Sequence, residues 1–91
     1  QKLVSEKATV KNSVLLQPVF IADGVIIENS VIGPYVSIGQ DTKISDSRIS
    51  NSIVQKNCSI NNAVMQNSLI GNYVGFEGTA ADVDAGDYTR I

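Results

Sequence analysis

A six-residue repeat constrains the fold of this chain more than any other feature of its sequence. Read in sixes from Phe20, the sequence gives the blocks FIADGV, IIENSV, IGPYVS, IGQDTK and ISDSRI. Each block begins with a large apolar residue, and its fifth position is usually small or β-branched. A period of six fits neither an α-helix of 3.6 residues per turn nor the simple alternation of a strand. It fits short strands joined by tight corners, the pattern of a β-helix.

The repeat extends in both directions once some blocks are shortened to five residues. The large first positions are then Val4, Val10, Leu15, Phe20, Ile26, Ile32, Ile38, Ile44, Ile49, Val54, Ile60, Met65, Ile70 and Phe76. Grouped in threes, these positions predict coils of 16, 18, 16 and 16 residues. We therefore predict an all-β fold, a single-stranded parallel β-helix of about four and a half three-sided coils over residues 1–76.

The repeat also predicts which side chains fill the interior. We expect the following first positions to be fully buried and to stack in rows: Ile26, Ile32, Ile38, Ile44, Val54, Ile60 and Ile70. Cys58 falls on an inward fifth position, so we interpret it as a small buried side chain. Asn-Ser and Asp-Ser pairs recur between blocks, as at Asn29-Ser30 and Asp46-Ser47. These residue types suit tight corners because Asn and Asp tolerate a left-handed backbone.

The pattern ends after Phe76, and the remaining residues 77–91 show no period of six. We expect this C-terminal tail to cap the open end of the β-helix, since open strand edges otherwise template unwanted pairing. A mobile tail or a contact with a partner is the alternative.

Length, charge and cysteine content exclude several classes of protein. Ninety-one residues fit one domain, and a net charge of −2 with seven Lys and Arg argues against binding to nucleic acid. No apolar run approaches the roughly 18 residues of a membrane span, and no signal peptide is recognisable. The alternative that a leader peptide has been removed before Gln1 stays open. The single cysteine cannot form an internal disulfide, which favours a cytoplasmic location.

Two stretches carry a resemblance to known families. IGPYVS and IGQDTK match the hexapeptide motif, with an aliphatic residue, a following Gly and a small fifth residue, so the chain resembles left-handed parallel β-helix proteins. The left hand is implied by this resemblance alone. The longer stretch PVFIADGVIIENSVIGPYVSIGQDTKISDSRISNSIV resembles the C-terminal domain of sugar-1-phosphate nucleotidyltransferases, of the glucose-1-phosphate thymidylyltransferase and mannose-1-phosphate guanylyltransferase type.

This resemblance implies an accessory or oligomerisation domain of an enzyme of nucleotide-sugar biosynthesis. Those enzymes carry their chemistry in a separate N-terminal α/β domain with a GxGxR-type loop, and neither that loop nor a βαβ pattern occurs here. We therefore expect no catalysis by this chain alone and a nucleotidyltransferase as the parent protein. The alternatives are a stand-alone hexapeptide-repeat scaffold or binding module, and a divergent acyltransferase with a base other than histidine.

The residues themselves offer little for catalysis. The chain has no histidine, the side chain that serves as a general base near neutral pH and ligates zinc in many enzymes. The serines have no adjacent base to activate them. Asp82, Asp84 and Asp87 lie close together in sequence but lack the spacing of a Ca²⁺ loop, so we interpret them as solvated. We expect no catalytic residue, no metal site and no cofactor in this chain.

An apolar patch is the strongest candidate for a functional surface. The predicted register places six apolar side chains outward: Leu16, Ile21, Val25, Ile27, Val31 and Tyr35. Outward positions from Ile38 to Gly75 are predicted to be nearly all polar. The patch predicts an interface with a second copy, as a dimer or trimer, or with the missing N-terminal catalytic domain. The family scaffold favours a trimer by analogy. Coverage of the patch by the beginning of the chain is the alternative.

Overall fold

The structure, a computed structural model, describes residues 4–77 and 84–85. Its short strands form three parallel sheets, which are stacked as the sides of a β-solenoid of about four coils. The described residues contain no helix. The predicted all-β fold of stacked coils is confirmed, and the parallel solenoid is consistent with the left-handed β-helix implied by the hexapeptide motif.

Each coil contributes one strand to each sheet. Sheet 1 contains β1 (Thr9–Lys11), β4 (Ile26–Glu28), β7 (Lys43–Ser45), β10 (Ser59–Asn61) and β13 (Gly75–Glu77). Sheet 2 contains β2 (Val14–Leu15), β5 (Val31–Ile32), β8 (Arg48–Ser50) and β11 (Val64–Gln66). Sheet 3 contains β3 (Val19–Ile21), β6 (Val36–Ile38), β9 (Ser52–Val54), β12 (Leu69–Ile70) and β14 (Asp84–Ala85).

The pairing of strands gives the length of every coil. On sheet 3 one inward row runs from Val4 through Ile21, Ile38 and Val54 to Ile70. Successive members of this row are 17, 17, 16 and 16 residues apart. The predicted lengths of the last two coils are confirmed, whereas those of the first two are wrong by one residue each.

The error lies at two places where apolar residues are adjacent in sequence. Ile21 and Ile27 point into the core and are fully buried, whereas Phe20 is half exposed and Ile26 is only partly buried. The predicted first positions Phe20 and Ile26 are therefore wrong by one residue. Because Phe20-Ile21 and Ile26-Ile27 are each two large apolar residues, hydrophobicity alone does not distinguish the inward member.

The rest of the predicted core is confirmed. Ile32, Ile38, Ile44, Val54, Ile60 and Ile70 are buried and stack in rows through the strand pairs, and Cys58 is buried as well. Adjacent coils thus cover one another's apolar side chains, which is how a chain of this size obtains a core without a second layer.

The corners are built by residues in the left-handed region of the backbone. Asn and Asp occupy most of these positions, with φ between 49° and 58° at Asn12, Asn29, Asp41, Asp46, Asn51, Asn57, Asn62 and Asn67. A buried serine follows four of these corner residues, at Ser30, Ser47, Ser52 and Ser68. The Ser47 hydroxyl donates to the carbonyl of Ser45 (2.8 Å) and accepts from the amide of Ala63 in the next coil (3.1 Å). The serine hydroxyls thus form a ladder between coils that gives backbone amides such as that of Ala63 a partner inside the solenoid.

The predicted capping tail lies mostly outside the described residues. Of residues 77–91, the structure describes Glu77 at the end of β13 and the backbone of β14, which pairs in parallel with β12. The division into a β-helix over residues 1–76 and a cap over residues 77–91 stays a prediction.

Candidate interaction surface

The structure separates the six predicted interface residues into two groups. Ile21, Val25 and Ile27 are fully buried in the core, so their predicted outward orientation is wrong. The cause is the shifted register, since moving the frame by one residue exchanges inward and outward side chains on a strand. Leu16 and Tyr35 are exposed as predicted, and Val31 is partly exposed.

Apolar side chains of later coils were missed by the sequence prediction. Ile53, Val64 and Leu69 are about half exposed, which contradicts the expectation of a nearly all-polar surface between Ile38 and Gly75. Each of them immediately precedes an inward residue, as Phe20 does. These exposed apolar residues can be found in the sequence by aligning the residues that immediately precede the inward positions.

Three of the exposed apolar side chains lie in one line on the outer face of sheet 3. Strand pairing places Phe20 beside Ser37, Ser37 beside Ile53, and Ile53 beside Leu69. We call these four residues the sheet 3 column. They alternate with the buried residues of β3, β6, β9 and β12, so they point away from the core.

The small side chain of Ser37 leaves a depression in the sheet 3 column. Phe20, Tyr35 and Ile53 border this depression, which has a volume of about 240 Å³ and a mainly apolar lining. Pockets that enclose small-molecule ligands usually measure roughly 300–1,000 Å³. The depression is therefore somewhat smaller than such a pocket, although it has room for a large side chain.

Two different borders flank the sheet 3 column. On the side where the chain continues, the residues after each inward position are Ala22, Gly39, Gln55 and Gly71, which we call the small border. On the side where the chain enters the sheet, the corner residues are Pro18, Tyr35, Asn51 and Asn67, which we call the corner border. The small border is low because three of its four members have no side-chain atom beyond Cβ.

Gly39 shows how closely the coils approach one another in the small border. A Cβ built on Gly39 would lie 2.6 Å from the backbone of Gln55 in the next coil. A backbone atom cannot rotate away as a side chain can, so no larger residue fits this position without movement of a coil. By contrast, a Cβ built on Gly75 meets no atom within 4 Å.

Tyr35 is an unusual residue in the corner border. Its φ is 62°, in a region where bulky side chains are uncommon, whereas Asn51 and Asn67 occupy the equivalent corners of later coils. The Tyr35 amide donates to the Pro18 carbonyl (2.7 Å), and the Tyr35 carbonyl accepts from the Ser52 amide (3.1 Å). These bonds hold an aromatic ring that is 67% exposed beside the depression.

Sheet 2 also has an apolar column, but a charge interrupts it. Val14, Val31, Arg48 and Val64 are aligned by strand pairing on its outer face. Arg48 is exposed, and its guanidinium places a positive charge in the middle of this column. Burial of this face against an apolar partner would remove water from that charge, which is costly unless an acid pairs with it.

Sheet 1 presents a polar outer face. Its two outward columns are Thr9, Ile26, Lys43, Ser59, Gly75 and Lys11, Glu28, Ser45, Asn61, Glu77. Neighbouring coils interact here through polar groups, since the Ser45 hydroxyl donates to the Asn61 side-chain oxygen (2.7 Å). The three faces of the solenoid thus differ in chemistry although they share one core.

Groups suited to metal binding do not assemble in the described part of the chain. Within residues 4–77 and 84–85, no three His, Cys, Asp or Glu residues lie close enough to hold a metal ion. Asp82 and Asp87 of the acidic tail lie outside the described residues. Among the residues the structure covers, no helix is long and apolar enough to cross a membrane.

Comparison with known proteins links the chain to one enzyme. It is 38% identical over 73 residues to a glucose-1-phosphate thymidylyltransferase of Streptomyces griseus. The match covers 79% of this chain, which spans about a fifth (21%) of the length of that protein. No family model matches the chain. The homology confirms the resemblance to sugar-1-phosphate nucleotidyltransferases that the sequence indicated.

Proposed function

We propose that the chain is the accessory β-helix domain of a sugar-1-phosphate nucleotidyltransferase and acts in nucleotide-sugar biosynthesis. The observation that supports this most directly is the 38% identity to a glucose-1-phosphate thymidylyltransferase over 79% of the chain. Since the match spans only 21% of that enzyme, the catalytic domain belongs to the part of such a protein that this chain does not contain. Glucose 1-phosphate and a thymidylyl donor are then the substrates of the parent enzyme.

The role of the domain is mechanical. Continuous rows of buried side chains join its coils into one core. The solenoid can therefore hold the domains or subunits that it contacts at a fixed distance and orientation. Its partners are the catalytic domain and other copies of the protein, and its location is the cytoplasm. It needs no cofactor and supplies no catalytic group.

A chimera tests this proposal. The matching stretch of the Streptomyces griseus enzyme is replaced by this chain in one variant and deleted in a second variant. Thymidylyl transfer to glucose 1-phosphate and the mass of the assembly are measured for both and for the unchanged enzyme. We expect the chimera to retain assembly and turnover, and the deletion to lose assembly and most of its turnover.

Two results would overturn the proposal. One is a deletion variant that assembles and turns over like the unchanged enzyme, because the stretch would then have no accessory role. The other is nucleotidyl or acetyl transfer by the isolated 91-residue chain that disappears when one of its own residues is changed.

A further inference from the structure

We infer that the outer face of sheet 3 binds the same face of a second copy of the chain, about a two-fold axis that passes between Ser37 and Ile53. The inference rests on the proposed function and deepens it, since it names the surface through which the domain holds its partner. Three properties of the face carry the inference: its self-complementary shape, its neutrality and its apolar area.

The sheet 3 column is complementary to itself when one copy is inverted. Along the solenoid it reads Phe20, Ser37, Ile53 and Leu69, that is large, small, large, large. A two-fold axis that runs parallel to the strands, between the second and third members, places Ile53 of each copy over Ser37 of the other. The same rotation places Phe20 over Leu69. The depression above Ser37 then receives one aliphatic side chain, for which its volume of about 240 Å³ leaves room.

The borders of the column meet their own counterparts under this rotation. Because the axis runs parallel to the strands, it reverses the order of the coils and leaves each border on its own side of the column. Tyr35 of one copy then lies over Asn51 of the other, and Pro18 lies over Asn67. On the other side the two small borders meet, and these low surfaces allow the sheets to approach closely.

Charge favours this face over the other two. None of the twelve residues of the sheet 3 column and its two borders is Asp, Glu, Lys or Arg. Asp84 of β14 pairs with Leu69 at the end of sheet 3 and lies beyond the four rows that the rotation brings together. Two copies with a net charge of −2 each can therefore approach through these four rows without burying an unpaired charge. The same two-fold rotation applied to sheet 2 would bury Arg48 against Val31. The outer face of sheet 1 carries the charged residues Lys11, Glu28 and Lys43.

The apolar area agrees with that of an ordinary protein interface. Phe20, Tyr35, Ile53 and Leu69 are 51%, 67%, 50% and 45% exposed. With full areas of roughly 150–250 Å² per large side chain, they expose about 400 Å² of mainly apolar surface. A standard interface covers about 800 Å² on each partner, of which slightly more than half is apolar. The face therefore supplies nearly the apolar area that a stable dimer needs.

A charge-pair exchange tests both the face and its register. Ile53→Lys and Ser37→Asp are prepared separately, and one of them carries a tag so that mixed dimers differ in mass. Each variant alone should associate at least about tenfold more weakly than the parent, because each homodimer would bury two unpaired like charges. Mixed in equal amounts, they should recover a dimer, because the lysine of one copy faces the aspartate of the other.

Size-exclusion chromatography with light scattering measures the association, and circular dichroism shows that each variant is folded. The matched control mixes Ile53→Lys with Leu69→Asp, which should recover no dimer because those positions do not face each other. A monomeric parent at tens of micromolar would overturn the inference, as would folded single variants that associate like the parent. A mixture that stays monomeric would overturn the two-fold register. These outcomes leave turnover of the chimera untouched, so a failure here is distinguishable from a failure of the proposed function.

Discussion

Sheet 1 and sheet 3 belong to the same coils and share the same core, yet their outer faces have opposite chemistry. Inward rows of both sheets consist of buried aliphatic residues such as Ile44 and Ile38. Outward, sheet 1 carries lysine, glutamate and serine, whereas sheet 3 carries Phe20, Ile53 and Leu69. The repeat that builds the coils constrains the inward positions and the corners, but not the outward positions of the strands. The outward positions are therefore where the chain can specify a partner.

The largest effect is expected from placing a charge on the inward side of sheet 3. Ile38→Asp should lower the free energy of unfolding by more than about 3 kcal/mol, because the carboxylate has no partner in an apolar core. Lys43→Asp on the outer face of sheet 1 is the control and should change the free energy of unfolding by less than about 0.5 kcal/mol. Urea denaturation followed by circular dichroism measures both. If Ile38→Asp unfolds at the same urea concentration as the parent, the inward row has been assigned wrongly.

A smaller effect is expected where sheet 3 is packed most closely. Gly39→Ala should cost about 1–3 kcal/mol, since the added Cβ would overlap the backbone of Gln55. Gly75→Ala on sheet 1 adds the same methyl group to open space and should be nearly neutral. Thermal melts compare the two variants, and equal melting temperatures would show that the coils are not in close contact at Gly39.

Loss of one hydroxyl from the serine ladder should cost about 1–2 kcal/mol. Ser47→Ala leaves the buried Ala63 amide without its acceptor, and it removes one of two donors to the Ser45 carbonyl, which keeps its bond from the Asn62 amide (2.9 Å). Ser45→Ala is the control, because its hydroxyl bonds to Asn61 on the outer face of sheet 1 and water can replace it. A denaturation midpoint lowered more by Ser45→Ala than by Ser47→Ala would contradict the structural role of the ladder.

The smallest effect concerns Tyr35, and two measurements should move in opposite directions. Tyr35→Asn should raise the free energy of unfolding of the monomer by up to about 1 kcal/mol, because asparagine tolerates a φ of 62° better than tyrosine. The same change should weaken self-association, since the exposed ring borders the proposed contact. Tyr35→Phe is the control and should change neither the free energy of unfolding nor the self-association appreciably. A variant Tyr35→Asn that is less stable than the parent would show that the ring supports the fold itself.

The period of six predicted the architecture because corners and inward rows recur with it through every coil. It did not predict the register of the first two coils, where Phe20-Ile21 and Ile26-Ile27 offer two apolar residues for one inward position. Gly24, with φ of 76°, precedes the inward Val25 as Asp41 precedes Thr42, so alignment of the corners rather than of the apolar residues gives the correct frame. The register error then removed Phe20 from the predicted surface and placed Ile21 on it.

The outer face of sheet 3 is recognised only when the residues of different coils are aligned in the correct register. Phe20, Ile53 and Leu69 belong to different coils, and each stands next to an apolar residue that points inward. Only the stacking of coils brings them into one column with Ser37. A surface that is built from one residue per coil leaves no local pattern in the sequence, in contrast to the repeat that builds the core.

Sedimentation equilibrium of the parent chain beside Ile53→Lys and Ser59→Lys tests the difference between the two faces most directly. Both variants add one lysine at an exposed mid-sheet position, the first on sheet 3 and the second on sheet 1. The account predicts that the parent and Ser59→Lys sediment at tens of micromolar with twice the 9.7 kDa mass of one chain, and that Ile53→Lys sediments as a monomer. A parent of 9.7 kDa, or a dimer lost in Ser59→Lys but retained in Ile53→Lys, would contradict it.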